Sequence, residues 1–88
     1  MEFEWDPNKN EANIRKHGID FEDAAQVLRQ DHYRERSDRE GERRWMAVGD
    51  VKGRLATVVY TMRGERYRLI SARRARENER EKYRKEIG

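Results

Sequence analysis

The sequence predicts an α+β fold: one small domain over residues 1–88, with two N-terminal helices packed on an antiparallel β-sheet and a helix at the C-terminus. Three observations predict it. Helix punctuation and an i, i+3, i+4, i+7 apolar pattern occupy residues 6–28. Short β-prone runs separated by glycine-containing turns occupy residues 44–72. A densely charged helical stretch then closes the chain, so the element order is β-α-α-β-β-β-β-α.

Phe3-Glu4-Trp5 alternates like a short strand, and Asp6-Pro7 stops it. Asp6 suits a helix N-cap, and Pro7 suits the first helical position, where its missing N–H costs nothing. This helix is expected to reach about His17, with Gly18 free to take the left-handed C-cap conformation. Its apolar stripe, Ala12 and Ile14, is weak, which places it on the surface. A second helix starts at Asp20, with Asp23 in a capping-box variant and Ile19 stapling against Ala24. Phe21, Ala24, Ala25 and Leu28 form one face of it, to be buried against the sheet.

Residues 31–40 are polar and read as a frayed edge strand leading to a loop at Gly41. Residues 44–48 read as strand, 49–53 as a hairpin turn and 55–62 as the central strand. Arg63-Gly64 reads as a tight turn and residues 66–72 as the antiparallel partner. These spacings suit hairpins and are too short for parallel crossovers. Ser71 is placed to cap the last helix, which runs to Ile87.

Composition bounds the function classes. Hydrophobic residues make up 34% and charged residues 44%, close to the limit for folding alone. The apolar residues are clustered in the strand runs, so a thin core helped by a partner chain is expected. There is no cysteine, which excludes disulfides and thiolate metal sites. His17 and His32 lack a carboxylate cluster around them, so neither a metal nor a cofactor is predicted. No apolar run approaches the ~18–20 residues needed to cross a bilayer. The acidic N-terminus lacks the order of a signal peptide, and a soluble, cytoplasmic protein without membrane contact is expected.

The charge is uneven. Residues 1–30 hold seven acids and four bases, net −3, whereas residues 31–88 carry net +6. Between residues 63 and 76 the six arginines Arg63, Arg66, Arg68, Arg73, Arg74 and Arg76 face a single acid, Glu65. Such density calls for a polyanion, carboxylate partners or solvent to absorb it. Of 21 basic residues 16 are arginine, the cation that matches phosphate bidentately, which makes RNA the first partner to consider.

Two constellations stand out. Ala72, Ala75, Glu79 and Tyr83 step by three or four, so Glu79 lies in the stripe expected to face the sheet. A carboxylate there must find a cation or lose its proton, with Arg73 or an arginine on the adjoining strands as the obvious partner. It reads either as a structural ion pair or as a base or orienting group beside arginines. Tyr83 reads as core packing or as a phosphate or base contact. Lys16-His17-Gly18 is the second constellation. His17 suits either helix capping or proton transfer, since an imidazole changes charge near neutral pH. Of Arg43 and Arg44, at least one can join the basic surface.

These pieces in this order resemble the BrnT toxin family. The resemblance rests on Phe3-Glu4-Trp5-Asp6-Pro7, Asn13 with Lys16-His17-Gly18, and Phe21-Glu22-Asp23-Ala24. It continues through Glu42-Arg43-Arg44, Val58-Val59-Tyr60-Thr61, Arg68-Leu69-Ile70-Ser71-Ala72-Arg73 and Glu79-Arg80 followed by Tyr83. The pattern departs at His32, where family members often have proline. The resemblance implies a compact fold similar to the RelE ribonucleases, and a toxin that inhibits translation by cutting RNA without a metal. It implies a BrnA antitoxin of the ribbon-helix-helix class, a heterotetramer, and an operon repressed by the pair, with operator DNA touched only through the antitoxin.

The expected function is thus a metal-independent endoribonuclease. Arg73 is expected to supply the cation, with Arg43 or Arg44 and Arg68 in support. Glu79 or His17 takes the proton, Lys16 or Tyr83 holds the phosphate, and Arg74 adds to the phosphate-binding surface. The alternative is a non-catalytic basic module that grips nucleic acid or an acidic protein. In a narrower version of it, the arginines serve mainly to bind the antitoxin.

Overall fold

The computed structural model describes residues 1–88. Strand β1 (Glu2–Glu4) leads into helices α1 (Pro7–His17) and α2 (Phe21–Leu28). Strands β2 (Tyr33–Arg36), β3 (Trp45–Val51), β4 (Arg54–Arg63) and β5 (Arg66–Arg74) follow, and α3 (Glu77–Glu86) ends the fold. The α+β class holds, with one sheet in the order β1-β5-β4-β3-β2. The sheet is mixed rather than antiparallel throughout. β1 lies parallel to β5, pairing Phe3 with Tyr67 and Glu4 with Arg68. That pairing needs no short crossover, because the whole of the intervening fold connects the two strands. No helix is long and apolar enough to cross a membrane.

The local helix signals operate as expected. The Asp6 carboxylate accepts from Asn8 N–H at 2.9 Å, Pro7 opens α1, and Gly18 (φ 71°) donates to the Ile14 carbonyl at 2.8 Å. Asp20 caps α2 by accepting from Glu22 N–H at 2.9 Å, while Asp23 pairs with Lys52. α2 buries Phe21, Ala24, Ala25, Val27 and Leu28 against one sheet face, where Ala47, Val58, Tyr60, Leu69 and Ala72 complete the core.

Three boundaries differ from expectation. β3 continues through Gly49 to Val51, so the first hairpin has a two-residue turn, Lys52-Gly53, both at positive φ. Gly49 pairs with Ala56 within the strand, and it has no side chain where a Cβ would sit 2.9 Å from Val27 Cγ1. β5 continues to Arg74, and α3 begins only at Glu77, so Ser71 is a strand residue and no helix cap. Thr57 pairs with Arg73 and Ala56 with Arg74, and these ladder pairs hold the segment extended. Finally, the β4–β5 register shifts: Val59 pairs with Ser71 but Tyr60 with Leu69, leaving Ile70 as a β-bulge.

Candidate ribonuclease site

Strand alternation divides the sheet into two faces. One meets α2, while α1 packs against the edge strand region of β5. The other meets α3, as the contact between Thr57 and Glu79 fixes. On that second face the row nearest α3 runs Tyr33, Val48, Thr57, Arg73, and the next runs Glu35, Met46, Val59, Ser71. α3 lies over the β2–β3 side, where Lys82 bonds Glu35 at 3.0 Å. Met46, Val59 and Ser71 are left half-buried as an open floor.

Arg73 and Glu79 meet at the edge of that floor. Both guanidinium Nη atoms donate to Glu79, each at 2.8 Å, and Thr57 Oγ1 and Arg76 N–H add bonds of 2.7 and 2.8 Å to Oε1. Burial pushes the Glu79 carboxyl up, but the donors Arg73, Arg76 N–H and Thr57 outweigh it and bring it down to about 2. The carboxylate in turn raises Arg73 further. The arrangement delivers a permanently charged guanidinium in one orientation.

Lys9, Ala12, Asn13, Lys16 and His17 of α1 line a cleft of about 210 Å³ with Ile70 and Ser71 of β5. Ser71 shares its face with Arg73 and so links the cleft to the ion pair. Arg73 and Glu79 do not line the cleft; Ser71, two residues before Arg73 on β5, is the cleft residue nearest to Arg73 along the strand. Tyr83 lies one turn beyond Glu79 on α3, half-buried.

Other predicted residues lie elsewhere. Arg74 projects from the opposite face, beside buried Ala56, with its Nη1 buried and without a hydrogen-bond partner. Arg68 shares the face of Arg73 but bonds Glu4 at 2.7 Å, holding the Glu4 carboxyl below the usual carboxylate range. Arg44 bonds Glu42 at 2.7 Å, and the Arg43 carbonyl accepts from Thr61 Oγ1 at 2.6 Å. Both sit toward the Thr61 end of β4, four residues (about 13 Å) from Thr57.

Sequence reasoning missed Thr57 as the hydroxyl that supports Glu79, and Lys9 and Ser71 as lining of the cleft. Thr57 left a faint signal, a polar residue inside the apolar run of the central strand. Lys9 and Ser71 left none, because only the docking of α1 against β5 makes them neighbours.

Fold and site together define a small α+β protein with a cationic sheet face flanked by a basic helix end. Residues 5–79 match the family model described as ribonuclease toxin, BrnT, of type II toxin–antitoxin system, and the chain belongs to that family. Membership implies an RNA target and an antitoxin partner. No individually curated protein matches the chain.

Proposed function

We propose that this chain is a metal-independent endoribonuclease, the toxin of a type II pair, cutting RNA through attack of a ribose 2′-hydroxyl on the adjacent phosphate. The products are a cyclic phosphate and a free 5′-hydroxyl. The observation that carries the reading is the Arg73 guanidinium, fixed by Glu79 two residues along β5 from Ser71, which lines the Lys16–His17 cleft. A cation held in place before the reaction stabilises charge building on phosphorus without reorganisation. Glu79 takes two of the five guanidinium N–H groups and the Arg74 carbonyl a third, leaving Nε–H and one Nη2–H for phosphate.

Glu79 itself is a poor proton acceptor, because four hydrogen bonds already occupy its carboxylate. It acts by orienting Arg73. His17 takes the 2′ proton, Lys16 holds the phosphate, and Tyr83 lies where a base or phosphate can reach it. Arg68, with Arg43 or Arg44 further along, guides the RNA strand. Family membership supports the remaining parts of the reading. The toxin acts in the cytoplasm and blocks translation. A BrnA-type ribbon-helix-helix antitoxin neutralises it in a heterotetramer, and the pair represses its own operon.

Cleavage of labelled RNA by alanine variants at positions 17, 73 and 79 tests the site. Arg73→Ala is expected to slow cutting about 100-fold or more, and the wild type is expected to cut in EDTA. Wild-type rates in both Arg73→Ala and Glu79→Ala would remove the site, and inactivation by chelation would remove the metal-free mechanism. One observation favours a second reading, a non-catalytic binding module: Arg66, Arg68 and Arg73 are all paired with carboxylates of the same chain. A salt-sensitive gel shift with intact RNA would favour that module.

A further inference from the structure

Helix α1 has no apolar stripe with which to hold itself in place. Its one buried residue is Asn13, and Ile14 is 40% exposed. The strand it lies against also has a deficit. β1 covers the outer edge of β5 only at Arg66, Tyr67 and Arg68, so from Ile70 onward that edge has no strand partner. An uncovered edge presents unpaired N–H and C=O groups. Asn13 fills it. Its Oδ1 accepts from Ala72 N–H at 3.1 Å, its Nδ2 donates to the Ala72 carbonyl at 2.9 Å, and the same Nδ2 donates to the Ile19 carbonyl at 2.9 Å. A side-chain amide carries the donor and acceptor of a peptide group, so Asn13 supplies one rung of the missing ladder.

The position on the helix gives that rung a second effect. Lys9, Lys16 and His17 stand at −4, +3 and +4 from Asn13, so all four share one helical face. All four line the cleft with Ser71. Pinning Asn13 to Ala72 therefore turns the three basic side chains toward β5, one residue from Arg73. We infer that Asn13 is a positioning residue: by replacing the absent strand at Ala72 it sets the α1 cations in register with the Arg73 guanidinium, so that both address one phosphate. The inference rests on the ribonuclease reading of this site.

The test compares Asn13→Ala with Asn13→Asp, which is isosteric but has lost both donors. Cleavage of a short RNA is measured at saturation and at limiting substrate, well below each variant's melting midpoint. Misplacement of reacting groups by about 1 Å costs on the order of 100-fold. Asn13→Ala is therefore expected to lose about 100-fold in kcat with KM changed only a few-fold, and Asn13→Asp at least about 10-fold. Combining Asn13→Ala with Arg73→Ala is expected to cost no more than Arg73→Ala alone. Folded variants that turn over at the wild-type rate, or losses that multiply in the double variant, would overturn the positioning role. Native-state hydrogen exchange on the wild type is the independent readout. Ala72 N–H is expected to be protected like the β4–β5 ladder amides, and exchange at the rate of a bare edge would also overturn the inference. A wild type that cuts no RNA would instead sink the ribonuclease reading, whatever the Ala72 amide does.

Discussion

Arg73 and Glu79 form a two-pronged ion pair, Nη1 to Oε1 and Nη2 to Oε2 at 2.8 Å each, with the carboxylate 5% exposed and the guanidinium 21%. Geometry of this kind suits guanidinium and no other side chain. The pair serves two ends at once. It ties α3 to β5, and it leaves Nε–H and one Nη2–H of Arg73 free, two residues along the strand from the Ser71 that lines the α1 cleft.

Removal of the carboxylate should expose both roles. Glu79→Ala leaves a half-buried guanidinium, the Thr57 hydroxyl and the Arg76 N–H without their acceptor. Breaking a buried pair from one side costs about 3–5 kcal/mol. For a domain of this size each kcal/mol lowers the melting midpoint by about 4–8 °C. Urea unfolding of wild type and variant measures the loss, and a difference below about 1 kcal/mol would contradict the described bonding.

Acid should weaken the fold through the same group. The folded Glu79 carboxyl lies at about 2, against 4.5 for an ordinary glutamate. A folded value below the unfolded one gives stability that is complete above the unfolded value and is lost as pH falls. That contribution is about 3 kcal/mol, disappearing between about pH 5 and 2. Glu79→Gln should flatten this part of the stability–pH curve. An unchanged slope in that variant would assign acid sensitivity elsewhere.

Arg73→Lys separates charge from shape. Lysine keeps the cation but cannot make two parallel bonds to Glu79. Cleavage is expected to stay at least about 10-fold below wild type despite the retained charge. Full activity in the lysine variant would mean that net charge alone suffices at this position.

Thr57→Val keeps the volume and deletes the hydroxyl that donates to Glu79 at 2.7 Å. A hydrogen bond to a charged group contributes about 1.5–3 kcal/mol, so the unfolding midpoint should fall accordingly. Circular dichroism against temperature reads this directly.

Gly49→Ala tests a close approach of α2 to the sheet. The added Cβ would meet Val27 Cγ1 at 2.9 Å, an overlap expected to cost about 1–3 kcal/mol. Shortening Val27 to alanine in the same chain should make the two losses less than additive. Strict additivity in denaturant unfolding would show that the two side chains do not meet.

Much of the N-terminal third could be read directly, because its signals act within a few residues. Asp6, Pro7 and Gly18 fix the ends of α1 by their own backbone preferences, and the apolar spacing of Phe21, Ala24, Ala25 and Leu28 marks the buried face of α2. The junction at Ser71 was ambiguous for a physical reason. Alanines at 72 and 75 suit a helix face, and they also suit a strand followed by a linker. What decided between them were partners far away in sequence: Thr57 across the ladder and Asn13, 59 residues distant. Likewise β1 gave no sign that it would lie parallel to β5. Glu79 was legible as a charge out of place in a stripe, and Arg73 as one of its candidate partners. The alignment of Lys16 and His17 beside Ser71 was not, since it depends on where a surface helix docks.

The extra residue at Ile70 divides β5 into two phases. Before it Tyr67 and Leu69 look inward; after it Ala72 looks inward and Arg73 outward. Were Ile70 held in the ladder instead of bulged out of it, Leu69 and Arg73, four residues apart, would fall on one side of the molecule. Because the bulge absorbs Ile70, the inward row of Tyr67, Leu69 and Ala72 and the outward row of Ser71 and Arg73 both stay in phase with β4 on either side of it. The irregular residue is thereby kept out of the alternation on which both the interior and Arg73 depend.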